Sequence, residues 1–286
     1  MFHFPGLYCL QFVLLKRFAL FRGEILLSFH GSDVKGMCRT RGVEAWLWRR
    51  LLRSADRVVV VSEQMRREIV EFDSEVKPFT VWNGIDCRSL LAGSASSVVP
   101  LAGQKYVLSI GSYNPAKGHD LLIEAFQQVH SYDKTLKLVL LENTLSRSAD
   151  SSGATLQQMV RARNLDDSVV IFEDVPRHEI GAWLKFAELF VLPSRSEGFG
   201  IVVLEAAACG TTVISTRVGI VPELITDDVN GRVVPCDDAS ALAEAIIELL
   251  KDDLKRNRLG ASLRDRVSAE FTWEAACKKY LQLLRI

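Results

Sequence analysis

Short runs of consecutive apolar residues alternate with amphipathic stretches along most of the chain. From residue 24 the runs EILLSFHG, ADRVVVVSE and KPFTVWNGID are separated by GVEAWLWRRLLRS and EQMRREIVEF. Apolar runs too short for helices and bounded by turn residues predict buried strands. Their alternation with helical segments predicts a parallel sheet with crossover helices. Asn83-Gly84 predicts a turn and AGSASSVVP a linker, and the rhythm resumes near Gln104. There YVLSIGS, KLVLLEN, VVIFED, LFVLPS, TTVIST and GRVVP read as strands, with DLLIEAFQQVH, TLQQMVRARN, EIGAWLKFA, IVVLEAAAC and SALAEAIIELLKD as the helices among them. The fold class expected is therefore α/β with doubly wound sheets, whose ligands lie outside the carboxyl ends of the strands. The expected division is a first domain over residues 1–92, a second over 93–270 and a last helix over 271–286. The apolar opening, residues 1–21, is interrupted by Lys16 and Arg17 and followed by no small-residue cleavage site. A packed helix is expected there rather than a signal or anchor.

The densest chemistry lies in SEGFGIVVLEAAACG, where Glu197 and Glu205 stand eight positions apart around a glycine turn and a helix start. Backbone amides of Gly198, Phe199 and Gly200, aided by the helix dipole, can cradle a phosphate. The helical rise puts the two glutamate Cα atoms up to roughly 12 Å apart, a span that suits a diphosphate between two hydroxyl-bearing groups. Carboxylates accept hydrogen bonds from such hydroxyls, which a cation cannot do. On spacing alone, a capping glutamate followed by a solvent-facing one is the favoured reading. A second glycine turn, GSYNPAKGHD, follows a strand and opens a helix, so Lys117 can reach a phosphate there. It lacks the Gly-Lys-Ser/Thr ending of a P-loop, and a solvated turn lysine is the plain alternative.

Bulk properties narrow the partners. With 286 residues, 48% hydrophobic content and 35 basic against 35 acidic residues, the chain has enough apolar material for one large or two modest domains. It lacks the basic excess of a nucleic-acid platform, so small molecules are the expected partners. The six cysteines (Cys9, Cys38, Cys87, Cys209, Cys236 and Cys277) are scattered without metal-ligand spacing. Buried thiols, a reducing cytoplasmic setting, no metal and no cofactor are expected.

The stretch from Leu192 to Pro235, LPSRSEGFGIVVLEAAACGTTVISTRVGIVPELITDDVNGRVVP, resembles the nucleotide-binding signature of the retaining nucleotide-sugar glycosyltransferases of family 4. These have the GT-B fold of two Rossmann-like domains. HGSD, SADRVVVVSEQMRREI, VWNGID and FTWEAACKKYLQLL look like further landmarks of that family. The resemblance implies that Glu197 touches the transferred sugar and Glu205 holds the nucleotide ribose. It also implies that Lys117, in a donor-binding loop with Gly111 and Ser112, neutralises the leaving diphosphate. His3 matches a histidine close to the transferred sugar, although a residue so near a chain start is as readily frayed and exposed. For His30, in SFHGSD, a bond to the following turn is expected over a place in the interdomain crevice. The last helix is implied to cross back to the first domain.

Several departures from the family stand out. The chain opens at what looks like the middle of the first domain, so that domain is expected to be incomplete, without its first strands and glycine-rich loop. Ser112 replaces a customary arginine, which leaves one cation where two are usual; Arg195 and Arg217 are the candidates to supply the second. Glu142, Asn143 and Thr144 stand where a glycine-rich turn is common, and Gly219-Ile220 replaces a Gly-Gly pair.

The function expected is transfer of a hexose from a nucleoside diphosphate sugar to an acceptor hydroxyl with retained configuration, without a metal. The acceptor is left open among saccharides, lipid-linked and small molecules. Peripheral membrane contact through the first helix and a partner chain completing the first domain also stay open. The alternatives are a non-catalytic nucleotide-sugar binder, one subunit of a split transferase and, further off, a nucleotide-sugar epimerase.

Overall fold

A computed structural model of the chain describes residues 1–93, 100–143 and 153–284. It comprises two compact units, residues 1–83 together with the chain from Ala276 onward, and residues 84–275.

In the first unit β1 (Phe2–His3), α1 (Leu10–Arg17), β2 (Leu26–Phe29), α2 (Ser32–Cys38), α3 (Gly42–Ser54), β3 (Arg57–Val60), α4 (Glu63–Phe72) and β4 (Phe79–Thr80) follow one another. The four strands form one parallel sheet in chain order. β2 is buried along its whole length, as a strand covered on both faces must be. Ser62 starts α4 by accepting from the Met65 amide at 3.3 Å. α2 has no counterpart in the apolar pattern. Its start is fixed by the Asp33 carboxylate, which accepts from the amides of His30 and Gly31.

The opening segment departs from the packed helix expected over 1–21. Phe2 and His3 pair in register with Leu27 and Ser28. Only eight residues form α1, and none of them is fully buried. Lys16, in the last turn of α1, donates to Asp56 at 2.5 Å, and that carboxylate also accepts from the Ile25 amide. The helix is thus held by this polar contact together with Phe12, whose ring packs on Phe2 at 4.8 Å and Phe21 at 5.8 Å.

The second unit holds α5 (Cys87–Gly93), β5 (Tyr106–Ile110), α6 (His119–Tyr132), β6 (Lys137–Asn143), α7 (Gly153–Ala162), β7 (Val169–Val175), α8 (Ile180–Phe186), β8 (Leu189–Leu192), α9 (Ile201–Ala208), β9 (Val213–Thr216), α10 (Val221–Leu224), β10 (Arg232–Val234), α11 (Ala239–Lys251) and α12 (Asp253–Glu270). Its six strands are all parallel, in the order β7-β6-β5-β8-β9-β10. Counted from β5, this is the 3-2-1-4-5-6 order of dinucleotide-binding sheets, whose topological switch lies between the first and fourth strands, here β5 and β8. The core beneath runs from Val107, Leu138, Leu189 and Val191 of the strands to Leu122 and Phe126 of α6 and Leu242 and Ile246 of α11.

This unit begins at Gly84, earlier than the expected boundary at 92/93, because α5 packs against α8 and α9. Residues 94–99 of the expected AGSASSVVP linker lie outside those described. α12 was not evident in the apolar pattern either. Its buried positions, Arg256, Leu259, Gly260, Leu263 and Val267, form a narrow stripe in an otherwise charged segment. The last helix, α13 (Trp273–Leu284), joins the first unit from Ala276. There Ala276, Tyr280, Leu283 and Leu284 pack on Leu26, Val59 and Val81 of that unit.

All six cysteines are free thiols, but only Cys9 is buried; Cys236 and Cys277 are exposed. The expectation of uniformly buried thiols therefore fails, since most of them stand on helices or loops at the surface. Among the described residues no helix is long and apolar enough to cross a membrane. Nor do three or more His, Cys, Asp or Glu side chains converge there to hold a metal.

Arg256 anchors α12 from within. It donates to Glu188 at 2.7 Å and to the Leu249 carbonyl at 3.0 Å, and pairs with Asp253 at 2.7 Å. Arg256→Ala is expected to destabilise the second unit by about 1.5–3 kcal/mol, the scale of hydrogen bonds to charged groups. A shift of the urea midpoint against wild type measures it.

Candidate functional site

The loops that leave the adjacent strands β5 and β8 meet at their carboxyl ends. After β8, the chain runs through Pro193 to Gly200 before α9; after β5, it runs from Gly111 through a 3-10 turn, Pro115–Lys117, into α6. Asn114 starts that turn by accepting from the Ala116 amide at 3.0 Å. Gly118 follows with φ +68°, where a Cβ would collide with the Pro193 carbonyl, so only glycine lets the two loops approach this closely. The Arg195 amide donates to the Ala116 carbonyl at 2.8 Å and locks them together.

Across this contact Lys117 Nζ donates to both oxygens of Glu197 at 2.8 Å, and Ser194 Oγ donates to Glu197 Oε1 at 2.8 Å. The Glu197 side chain is 7% exposed and that of Lys117 24%. The carboxylate is thus fixed, while its cation keeps access to solvent. Two residues singled out separately in the sequence are brought into one ion pair.

Beyond Glu197 the amides of Gly198, Phe199 and Gly200 donate to no group among the described residues. The Phe199 carbonyl accepts from the Ile220 amide at 2.8 Å. Gly219, at φ +58°, lies so close beneath that a Cβ would strike this carbonyl. Ile220, in place of a second glycine, is fully buried under the turn and props it from below.

Glu205 is placed differently. It lies on the second turn of α9, 2% exposed, and its Oε1 accepts from Arg177 Nη2. Arg177 comes from the 3-10 turn after β7, and this hydrogen bond raises its pKa above the ordinary value. Arg177 and Glu205 line a cavity of about 470 Å³ with His178, Ile201, Asp86 and Trp273. Glu197 is not among its walls. The two glutamates have separate cationic partners, Lys117 for Glu197 and Arg177 for Glu205.

Other expected residues take definite roles. Gly111 donates its amide to the Leu141 carbonyl at 2.9 Å. Ser112 is buried and accepts from Asn114 Nδ2 at 2.6 Å, so it supports the Lys117 turn. Arg195 does not supply the second cation. It is bidentate to Asp120 at 2.8 Å, bonds Asp237 at 2.6 Å and reaches the Pro115 carbonyl, a clamp that leaves its charge already satisfied. Arg217 is exposed. Glu142 is buried and accepts from the Tyr113 amide at 3.0 Å; Thr144 lies outside the described residues. In the first unit His3 is held in β1 rather than frayed, with Nδ1 2.9 Å from Nε2 of His30. That His30 nitrogen is also 3.0 Å from Ser28 Oγ, so His30 does more than bond the following turn. Burial, then His3, lowers the His30 pKa.

Arg177, Ser194 and His119 were missed in the sequence. For Arg177 the available signal was its place just past the carboxyl end of a predicted strand, a position it shares with Lys117 and Glu197.

The sequence pattern of the family described as Glycosyl transferases group 1 matches residues 97–266. The chain belongs to that family. A second pattern, Glycosyltransferase Family 4, matches residues 2–89. Among relatives of this group 1 chain, the alpha-maltose-1-phosphate synthase of Mycolicibacterium smegmatis is 31% identical over 85% of the chain and 66% of its own length. The chain spans about two thirds of the length of the curated relatives it matches along most of its own. The solved sucrose-phosphate synthase of Thermosynechococcus elongatus matches with a TM-score of 0.80 at 26% identity, over 96% of this chain and 70% of that one. Anabaena Alr3699/HepE, solved in complex with UDP, matches with a TM-score of 0.81 at 19% identity over 96% and 74%, a likeness of fold. The architecture is GT-B.

His119 gives the site a pH signature. It opens α6 directly after Lys117 and Gly118 and is fully buried, with Nδ1 unpartnered among the described residues. Burial, then Lys117, lowers its pKa to about 4. The unfolded chain binds this proton below the ordinary histidine value of about 6.5 and the folded chain does not. Stability should therefore fall as pH drops from about 6.5 to 4, by at most about 3 kcal/mol. Urea midpoints across that range for wild type and His119→Leu check it, with a shallower fall expected in the variant.

Proposed function

We propose that this chain binds a nucleoside diphosphate sugar through its second unit and serves in transfer of the hexose to an acceptor hydroxyl with retention of configuration. The observation that carries the reading is the Lys117–Glu197 pair at the switch between β5 and β8, beside the unpartnered amides of residues 198–200. A diphosphate arriving there meets the amides and shares Lys117 with Glu197, the ammonium having N–H donors for both anions. Glu197, held by Lys117 and Ser194, offers its remaining acceptor capacity to the sugar hydroxyls. Glu205 accepts from the ribose. His3 is assigned to the sugar by the family resemblance, and within the first unit its Nδ1 lies 2.9 Å from Nε2 of His30, which couples their tautomers. The family membership and the names of the relatives support this assignment.

Fixed amides and a lysine meet the phosphate charge in this scheme, so no metal is required, and transfer is expected to survive EDTA. A second reading has one specific observation in its favour. With Ser112 at the customary arginine position and Arg195 clamped by Asp120 and Asp237, Lys117 is the one cation assigned to the leaving group among the described residues. That weakens stabilisation of the departing diphosphate and suits a binder without turnover, or one part of a split enzyme.

Glu205→Ala and Lys117→Ala are each expected to cost about 1.5–3 kcal/mol of donor affinity, the scale of a lost charged hydrogen bond. Calorimetric titration with uridine, guanosine and adenosine diphosphates and their sugar conjugates measures it. Unchanged affinity in both variants would remove the site from the second unit. Tight donor binding with no product in a transfer assay would favour the silent binder.

A further inference from the structure

Nδ1 of His3 and Nε2 of His30 face each other at 2.9 Å, so one of these nitrogens donates and the other accepts. That choice also fixes what each ring offers from its second nitrogen. The hydrogen bonds continue on the far side of His30. Ser28 Oγ lies 3.0 Å from the same Nε2, and Tyr280 Oη lies 3.1 Å from Ser28 Oγ. Ser28 is wholly buried on β2, while Tyr280 is half-buried and belongs to α13 within the same unit. The chain of hydroxyls and rings can run in two senses. In one, Tyr280 donates to Ser28, Ser28 donates to His30 Nε2, and His3 Nδ1–H donates to that nitrogen as well. In the other, His30 Nε2–H points outward, Ser28 donates to the Tyr280 oxygen, and His3 keeps its proton on Nε2. Only the first gives the Tyr280 proton an acceptor, since Ser28 Oγ is the one available to it among the described residues. Burial raises the Tyr280 pKa, so that proton stays on and a half-buried donor without a partner is costly.

We propose that Tyr280 and Ser28 are positioning residues that act through His30 to fix the tautomer of His3, holding its proton on Nδ1 and presenting the Nε2 lone pair. For its bearing on transfer this rests on the assignment of His3 to the sugar made above. The neutral His3 ring then accepts from a sugar hydroxyl and donates nothing to it. The other groups around His30 leave this sense undisturbed. Asp33 of α2 already accepts from the amides of His30, Gly31 and Val34, and the Phe4 ring, 4.8 Å away, brings no proton. Burial, then His3, lowers the His30 pKa against the pull of Asp33, which suits a neutral acceptor at the hub.

Nitrogen NMR of the chain with isotope-labelled histidines reads each ring nitrogen as protonated or bare. Spectra are recorded at about pH 8, above the ordinary histidine value, with the thermal transition measured for each variant. Wild type is expected to show His3 protonated on Nδ1 and bare on Nε2, with His30 bare on Nε2. Ser28→Ala removes the donor that makes His30 an acceptor, so the His3 tautomer ratio is expected to move toward equality about fivefold, the scale of one neutral hydrogen bond. Tyr280→Phe keeps the ring and is expected to move it in the same direction about twofold. A wild-type His3 protonated on Nε2 overturns the proposal, as does an unmoved ratio in either folded variant, because residues that only pack would alter the thermal transition alone. Should Ser28→Ala fail to fold, Tyr280→Phe decides by the same criterion. Nucleotide sugars are expected to shift the His3 Nε2 resonance more than the bare diphosphates do. Binding of no nucleotide sugar sinks the donor reading and leaves the tautomer result standing, so the two failures are told apart.

Discussion

The ion pair between Lys117 and Glu197 is the interaction on which the rest of the site depends. Its members lie 80 positions apart in sequence, yet they belong to loops leaving neighbouring strands. A buried carboxylate needs a cation nearby, and a cation that is to serve a ligand must remain accessible. The pair meets both needs because Glu197 is sealed in while Lys117 is not. Everything around it serves that geometry. Asn114 and Ser112 shape the lysine turn, Gly118 admits the Pro193 carbonyl, Arg195 clamps the two loops, and Gly219 with Ile220 supports the turn beyond Glu197.

A second acid–base pair repeats the arrangement with the exposures further apart. Glu205 is more deeply buried than Glu197, and Arg177 is more exposed than Lys117. Lysine is a point charge that can swing between anions, whereas the guanidinium is planar and directional. Lys117 can therefore turn toward another anion, whereas Arg177 holds one oxygen of Glu205. Arg195, although cationic and nearby, belongs to neither pair. Its three acceptors make it part of the framework, and its composition alone gave no hint of that.

Much of the second unit was legible because its strands are short, fully apolar and bounded by turn residues, which is how strands covered on both faces must read. Lys117, Glu197 and Glu205 were found because glycine turns at strand ends mark places where a ligand can approach the backbone. The elements that escaped were held by polar contacts. α2 begins where Asp33 collects two amides, β1 is two residues paired through the backbone, and α12 buries an arginine along with three apolar side chains and a glycine. Periodicity of apolar residues carries no trace of such causes. Pairings such as Glu205 with Arg177 or His3 with His30 join residues from separate loops and strands, so no local spacing encodes them.

The return of the last helix to the first unit has a consequence for how the molecule is made. Leu26, Val59 and Val81 are synthesised before the second unit, yet the side chains that cover them, Tyr280, Leu283 and Leu284, emerge only after it. The second unit is in effect an insertion whose entry and exit lie together, since Ile85 bridges Thr272. It can close its own sheet while the first unit still waits for its final piece. The first unit can complete its core only after the second has been synthesised, against the usual N-terminal-first order.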